Sequence, residues 1–258
     1  MPEVVLIERP SAEVATVIMN RPDKRNALSL ELISALTDAF VELSRDRARR
    51  VIVLRGEGKA FCAGLDLEEM AKEGSAEKAA TALSKLYQAM AGSPVVTLAT
   101  AHGAAFGGGV GLIAASDIVV AEEGLKIGFP EVKRGLTAAL ITALLRRSVS
   151  DRALRELIIL GLTIDAQRAA QLGIVNRVAP AAQMTDIVQE YCRQIIAAAP
   201  NAVARSKKLL DELAIRHARE DLELALKFHF EYRHEGEIRE GVAAFHEKRE
   251  PRWGLRDD

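Results

Sequence analysis

Cysteine is scarce in this chain of 258 residues, which contains only Cys62 and Cys192. Two cysteines do not make the disulfide framework of a small secreted domain, so we interpret both as reduced thiols. No apolar run approaches the roughly 20 residues that a membrane-spanning helix needs. The opening sequence MPEVVLIERP also lacks the basic and then apolar pattern of a secretory signal. We therefore expect a soluble, cytoplasmic protein with no membrane partner.

An excess of charge of either sign is also missing. The 35 basic and 36 acidic residues leave a formal net charge of −1, which argues against a nucleic acid held by bulk charge. A small polyanionic ligand is still compatible, because it needs only a local basic patch. With 258 residues, 49% of them hydrophobic, the chain can bury the core of one large domain.

Strand-like and helix-like segments alternate over the first two thirds of the chain. Apolar, β-branched runs predict strands at 4–7 and Val14–Met19, and Ser29 is placed to cap the helix that follows. Further strands and helices alternate as far as a long apolar helix predicted to begin near Thr137. From Asn201 onward the pattern is helical. This order predicts an α/β core over residues 1–200 and a helical region over residues 201–258.

Two segments share a form that suits chemistry on a carbonyl group. VIVLRGEGKAFCAGLDL (51–67) and VVTLATAHGAAFGGGVGL (95–112) each run from a strand through small residues into the start of a helix. Small residues let a ligand approach the backbone closely, and a helix start presents unpaired N–H groups. Two such amides that converge on one point would form an oxyanion hole.

Several motifs resemble those of the enoyl-CoA hydratase/isomerase (crotonase) family. From about Val14 to Trp253 they occur in the family's order and spacing: NRPDKRNALS, GKAFCAGLDLEEM, HGAAFGGGVGL, IGFPEVKRGL, AAQLGIVNRV and EGVAAFHEKREPRW. The resemblance implies a crotonase-like α/β spiral of ββα units. It also implies a C-terminal helical region that assembles homotrimers, often paired into hexamers. The substrate would be an acyl-CoA thioester, with coenzyme A as part of the substrate and no separate cofactor.

The same resemblance assigns the site residue by residue. The backbone amides of Ala63 and Gly108 would form the oxyanion hole for a thioester enolate. Coenzyme A would be bound by the loop residues Lys24, Arg25, Ala27, Ala60, Asp66 and Leu67. Phe245 and Lys248 match positions that reach the coenzyme A of a neighbouring subunit.

One acid of the family's usual pair is missing. Typical hydratases of the family use two glutamates; here Glu131 matches one and Gly111 stands in place of the other. We prefer hydration of a 2-enoyl-CoA, a class that includes branched and carboxylated substrates, with Glu131 and an ordered water. The alternatives are a Δ3–Δ2-enoyl-CoA isomerase that uses Glu131 alone, another enolate reaction, and a non-catalytic CoA-binding protein. Candidates to supply the second function are Glu68, Glu69 and Tyr87.

Other reactive side chains are interpreted as structural. We expect His102 to be packed or hydrogen-bonded, Cys62 to be a small packing residue, and Asp117 to make a structural hydrogen bond. His229 and His234 lie in the charged helical tail and do not make a metal site by themselves. No metal site is therefore predicted. RNA binding, known for a relative in the family, finds little support in the balanced charge.

Overall fold

The structure is a computed structural model that describes residues 3–71, 74–213, 218–231 and 235–251. His234 and Trp253, which were named above, lie outside these ranges. No helix within them is both long and apolar enough to cross a membrane.

Most of the β-branched segments form one six-stranded sheet in the order β1-β2-β3-β4-β6-β9. Its strands are β1 (Val5–Glu8), β2 (Val14–Met19), β3 (Val51–Gly56), β4 (Val96–Ala101), β6 (Ile118–Glu122) and β9 (Arg177–Ala179). β1 pairs antiparallel with β2, and the other neighbours are parallel. Parallel strands are usually covered on both faces, and β3 and β4 are accordingly almost wholly buried. The predicted strands are confirmed, β1 with a shift of one residue.

A second sheet was not predicted. It contains β5 (Ala104–Phe106), β7 (Lys126–Gly128) and β8 (Thr163–Asp165), with β5 parallel to β7 and β8 antiparallel to it. Three residues are too few to show a strand period in sequence. β5 follows β4 after a turn at Gly103, whose φ is +61°. This sheet places Phe106 directly before the glycine run.

The helices cover the main sheet and make up most of the described residues after Pro180. They are α1 (Leu30–Arg45), α2 (Leu67–Met70), α3 (Ser75–Ala91), α4 (Gly108–Ala114), α5 (Ala139–Leu145), α6 (Asp151–Ile159), α7 (Ala166–Gln171), α8 (Met184–Ala197), α9 (Pro200–Glu212), α10 (Ala218–Glu231) and α11 (Glu235–Glu247). Ser29 caps α1 as predicted, since its side chain accepts a hydrogen bond from the Leu32 N–H. The prediction of one long helix that begins near Thr137 is wrong, because α5 ends at Leu145 and Ser150 caps a new helix, α6.

The helices after Pro200 pack against the α/β core of the same chain. α10 packs on α3 and α5, and α11 packs on a single 3-10 turn, Glu131–Arg134. α9 is tied down by Lys207, whose ammonium group lies 2.6 Å from Asp117 and 2.7 Å from the Val95 carbonyl. Asp117 also accepts two hydrogen bonds from Thr97, which confirms the structural hydrogen bond expected of it.

Candidate active site

The glycine run forms the start of α4. Gly107 precedes the helix with φ +51°, and its N–H donates to the Gly128 carbonyl at 3.0 Å. Gly108 is the first residue of the helix, so its N–H has no intrahelical acceptor. No other acceptor for it occurs in the described part of the chain. The glycine run therefore presents an unpaired amide, as the sequence predicts for Gly108.

The partner amide is not the one expected from the sequence. The Ala63 N–H donates to the Arg25 carbonyl at 2.9 Å, so it is not free for a ligand. The next candidate is Leu65, whose N–H has no acceptor among the described residues. A bridge holds this residue in place: the Leu28 N–H donates to the Gly64 carbonyl, and the Asp66 N–H donates to the Leu28 carbonyl.

Gly64 brings the two free amides close to each other. Its φ of +92° suits glycine, and an ideal Cβ on it would lie 3.7 Å from the Gly108 nitrogen and 2.8 Å from the Phe106 carbonyl oxygen. The backbone at Gly64 is thus packed against the residues that lead into α4. The pair of amides that the structure offers is Leu65 and Gly108.

Glu131 lies beside this pair, at the first position of the 3-10 turn Glu131–Arg134. Its Oε1 is 3.0 Å from the ideal Cβ position of Gly107. Its Oε2 is buried, and the described residues offer it no hydrogen-bond partner. Burial is the main cause that raises the pKa of Glu131 from its usual 4.5 to about 7, while a backbone hydrogen bond and Arg134 act in the opposite direction. A carboxyl with such a pKa exchanges protons readily near neutral pH.

A tyrosine fills the place of the second acid. An ideal Cβ on Gly111 would lie 2.1 Å from the Tyr87 hydroxyl oxygen and 2.3 Å from its Cζ. Tyr87 projects from α3, is fully buried, and donates a 2.7 Å hydrogen bond to the Gly108 carbonyl. Burial is the first cause that raises the pKa of Tyr87, and the proximity of Cys62 and Glu131, whose ionised forms are negative, raises it further.

The two other candidates for the second acid are engaged elsewhere. Glu68 forms a 2.8 Å ion pair with Lys24 and is largely exposed. Glu69 accepts a 3.0 Å hydrogen bond from the Leu30 N–H at the start of α1. Of the three candidates, Tyr87 alone lies against both Gly108 and Gly111.

The residues matched to coenzyme A contacts mostly form one surface around the 21–27 loop. Lys24 and Arg25 are exposed, and Arg25 has φ +49°. Asp66 is only 8% exposed and pairs with Arg21 at 3.0 Å while capping α2, so it holds the loop in place. Ala27 accepts a hydrogen bond from Arg21 through its carbonyl. The remaining two contribute backbone: Ala60 accepts from Asn26 at 2.8 Å, and Leu67 opens α2.

Asn26 stabilises the 21–27 loop through hydrogen bonds to the main chain, and this role was not predicted from the sequence. It is fully buried with φ +54°. Its side chain accepts from the Arg21 N–H and donates to the Glu57 and Ala60 carbonyls. An asparagine that follows a basic pair in NRPDKRNALS is the available signal, because asparagine tolerates a left-handed backbone and bonds to nearby main chain.

Phe245 lies near the 3-10 turn Glu131–Arg134 of its own chain. The Phe245 ring lies 4.3 Å under the Arg134 guanidinium, and Lys248 follows α11 with φ +54°. Contact with the coenzyme A of a neighbouring subunit stays a prediction for both.

The remaining reactive side chains are packed. Cys62 donates to the Asn26 carbonyl, and burial raises the pKa of its thiol to about 12, so the thiol stays protonated. His102 is hydrogen-bonded to the Gly58 carbonyl at 2.9 Å. Among the described residues, no three His, Cys, Asp or Glu side chains are grouped as metal ligands.

Comparison with known proteins agrees with this geometry. The family model for enoyl-CoA hydratase/isomerase matches residues 9–256. The chain belongs to the enoyl-CoA hydratase/isomerase family. It is 35% identical over 253 residues to a Thermus thermophilus protein whose name proposes an enoyl-CoA hydratase, covering 96% of this chain and 100% of that one. An enoyl-CoA isomerase/hydratase of Mycosarcoma maydis is 32% identical, with 93% of each chain covered.

Solved structures of the family share the fold. An enoyl-CoA hydratase/isomerase from Marinobacter aquaeolei has a TM-score of 0.77 at 34% identity and covers 97% of this chain and 99% of its own. The crotonase-type α/β fold with a C-terminal helical region, expected from the sequence, is thereby confirmed. The chain is an enzyme of the hydratase/isomerase class, and its relatives indicate enoyl-CoA chemistry.

Proposed function

We propose that this enzyme performs acid–base chemistry on an enoyl-CoA thioester, with Glu131 as the carboxyl that the described residues place at the reacting carbons. The observation that carries the proposal is the buried Oε2 of Glu131, unpartnered among the described residues, beside the unpaired amides of Gly108 and Leu65. The thioester oxygen would accept hydrogen bonds from these two amides. A preorganised amide of this kind typically contributes roughly 3 kcal/mol when charge develops on the oxygen.

Hydration of a 2-enoyl-CoA is the first candidate, and the names of the relatives favour it. The Glu131 carboxylate takes a proton from water while the water oxygen bonds to C3. The electron pair of the C2=C3 bond moves into the enolate, whose oxygen is held by the amides of Leu65 and Gly108. The same carboxyl then returns the proton to C2, so that one water has been added. A pKa of about 7 suits both steps, because neither form of the acid is disfavoured near neutral pH.

Isomerisation of a 3-enoyl-CoA is the second candidate, and the filled volume at Gly111 favours it. Glu131 removes a proton from C2, and the electrons move into a dienolate held by the same two amides. The carboxyl returns the proton at C4, which leaves a 2-enoyl-CoA of unchanged mass. A single carboxyl is sufficient for this reaction.

Incubation in D2O with a 2-enoyl-CoA or a 3-enoyl-CoA, followed by mass spectrometry, separates the two reactions. Hydration adds one heavy water to the 2-enoyl substrate. Isomerisation leaves the skeleton mass of the 3-enoyl substrate unchanged and moves the double bond into conjugation. Glu131→Gln should abolish either reaction. The exposed Glu123 provides a matched control, since Glu123→Gln should remain fully active.

A non-catalytic CoA-binding protein is the outcome that would contradict the proposal. It would bind coenzyme A in a calorimetric titration, yet turn over neither substrate, and Glu131→Gln would change nothing. Retained CoA binding together with lost turnover in Glu131→Gln would instead support the catalytic role of Glu131.

We also propose assembly into homotrimers or dimers of trimers. Large apolar side chains are exposed on the outer helices, among them Ile159 on α6, Leu210 on α9 and Phe228 on α10. Exposed apolar surface of this kind commonly marks an interface. Light scattering at working concentration tests this proposal, and a monomer would contradict it.

A further inference from the structure

Gly111 lies one helical turn after Gly107 at the start of α4. The Gly111 N–H donates to the Gly107 carbonyl at 3.3 Å, and Gly107 itself precedes the helix with a non-helical φ of +51°. Glu131 approaches Gly107, with Oε1 at 3.0 Å from the ideal Cβ of that residue. A carboxyl-bearing side chain at position 111 would therefore start one helical turn from the point that Glu131 approaches.

Tyr87 fills the space in which a side chain at position 111 would begin. The ideal Cβ of Gly111 lies 2.1 Å from the hydroxyl oxygen, 2.3 Å from Cζ and 2.8 Å from Cε2 of Tyr87. These distances are far below van der Waals contact, so even a methyl group does not fit without movement of the ring. The overlap involves ring carbons as well as the hydroxyl, and removal of the hydroxyl alone would not relieve it.

The ring is held firmly in this place. Tyr87 is fully buried between α3 and α4, and its hydroxyl donates to the Gly108 carbonyl at 2.7 Å. The ideal Cβ of Gly108 lies 3.5 Å from the same hydroxyl and 2.9 Å from Leu28. Tyr87 is among the largest fully buried side chains, and in a close-packed interior a ring of this size moves only if its neighbours move.

We propose that Tyr87 is a specificity-determining residue that excludes a second carboxyl, and the water such a carboxyl would hold, from the first turn of α4 beside Glu131. The Tyr87 ring and an acid at position 111 thus exclude each other. The enzyme is therefore confined to reactions that one carboxyl can complete. This inference rests on the proposed function for its catalytic meaning, whereas the steric exclusion does not depend on any substrate.

A double-mutant cycle tests the exclusion. Gly111→Ala should lower the melting temperature by 5 °C or more although alanine favours helix over glycine, and Gly111→Glu should lower it further or prevent folding. Tyr87→Leu removes the ring but keeps an apolar side chain. The double variant Tyr87→Leu/Gly111→Glu should melt well above the temperature expected from adding the two single effects.

Tyr87→Phe/Gly111→Ala separates the ring from the hydroxyl. This double variant should remain destabilised relative to Tyr87→Phe, because Cζ still overlaps the new methyl group. A Gly111→Ala protein that melts like the wild type would overturn the proposal. Additive effects in the cycle would overturn it as well.

The pH dependence of kcat/KM supplies a readout that a purely structural Tyr87 would not change. The wild type should show one ionisation of an acid–base group near neutral pH, and Tyr87→Leu/Gly111→Glu should show two, giving a bell-shaped profile. If the wild type turns over no enoyl-CoA but the melting cycle is coupled, the proposed function fails and the exclusion stands. If turnover is present and the cycle is additive, the exclusion fails and the proposed function stands.

Discussion

Gly241 on α11 lies directly against the backbone of Arg134 in the 3-10 turn Glu131–Arg134. An ideal Cβ on Gly241 would be 2.5 Å from the Arg134 carbonyl carbon and 2.6 Å from its Cα. The contact is reciprocal, since an ideal Cβ on Gly135 would be 2.4 Å from the backbone carbonyl of Glu237. Two glycines therefore let a tail helix support the turn that begins with Glu131.

Gly241→Ala should displace this turn and slow catalysis. The added methyl group has to push α11 away from Arg134, or move the turn and with it the Glu131 carboxyl. Because a misplacement of about 1 Å can cost a hundredfold in rate, we expect kcat to fall by about tenfold to a hundredfold. The dissociation constant for coenzyme A should change less. Steady-state kinetics and a CoA titration measure the two effects separately.

Gly124→Ala is the control for this substitution. Gly124 has a negative φ, and within the described part of the chain its ideal Cβ would meet only Glu122, at an ordinary 3.6 Å. This variant should keep the wild-type kcat. An unchanged kcat in Gly241→Ala would show that the tail helix does not position Glu131.

Gly64→Ala should disable the amide pair. Its methyl group would approach the Phe106 carbonyl oxygen to 2.8 Å at a backbone φ of +92° that alanine rarely adopts. Relief of this strain moves the Leu65 N–H relative to the Gly108 N–H. Since loss of one oxyanion donor costs about a hundredfold to a thousandfold in kcat, we expect a fall in kcat within this range.

The matched control for Gly64→Ala is Gly74→Ala. Gly74 has a similar left-handed φ of +69°, but its ideal Cβ meets no described residue within 4 Å. Both variants therefore carry backbone strain, and only Gly64→Ala alters the amide pair. If the two lose activity equally, the amide of Leu65 has no special role.

Sequence patterns were sufficient for the buried elements of the fold. β3 (Val51–Gly56) is a β-branched run bounded by a turn, and the start of α1 shows its cap at Ser29, so local chemistry specifies both. β5, β7 and β8 are three residues each, and only pairing between distant segments creates them. The prediction of one long helix near Thr137 failed because Ser150 caps a new helix. This cap lies inside a sequence pattern that is otherwise helical.

The candidate site was predictable as a set of segments and less so as individual groups. Glu131 and the Gly108 amide follow from motif position. Ala63 was assigned in place of Leu65 because the hydrogen bond from its N–H to Arg25 joins two loops and cannot be read from either one. In the sequence, Gly111 is visible only as a position where the family's acid is missing. The contact that leaves no space for a side chain there is made by the ring of Tyr87, which belongs to another helix.

Glu131→Gln should stabilise the protein at neutral and higher pH. Burial raises the pKa of Glu131 from 4.5 to about 7 in the folded state, so the unfolded state loses its proton first as pH rises. The wild type therefore loses stability from about pH 4.5 up to about pH 7. The Glu131→Gln protein does not, because glutamine has no proton to lose. The shift corresponds to at most about 3 kcal/mol, and solvent contact of the partly exposed residue reduces it.

Urea unfolding of both proteins at pH 4 and pH 8 measures this effect. The Glu131→Gln protein should have the higher free energy of unfolding at pH 8 and nearly the same value as the wild type at pH 4. Glu123→Gln, at an exposed position, should match the wild type at both. A Glu131→Gln protein less stable than the wild type at pH 8 would mean that the carboxylate is stabilised by the fold.

Glu68→Gln should strengthen binding of coenzyme A. Lys24, a predicted phosphate contact, is held 2.8 Å from the Glu68 carboxylate, and this partner raises the pKa of the Lys24 ammonium group. A bound phosphate has to compete with Glu68 for the ammonium group and is repelled by the carboxylate. Because both side chains are largely exposed and such pairs are weak, we expect a decrease of about twofold to fivefold in the dissociation constant.

Salt and a second substitution distinguish this competition from an indirect effect. The gain in Glu68→Gln should shrink at high ionic strength, where interactions between exposed charges are screened. Lys24→Met should weaken binding, and Lys24→Met/Glu68→Gln should recover only the small part due to direct repulsion by Glu68. An equal gain from Glu68→Gln with and without Lys24 would show that Lys24 does not contact the phosphates, and would remove it from the binding surface.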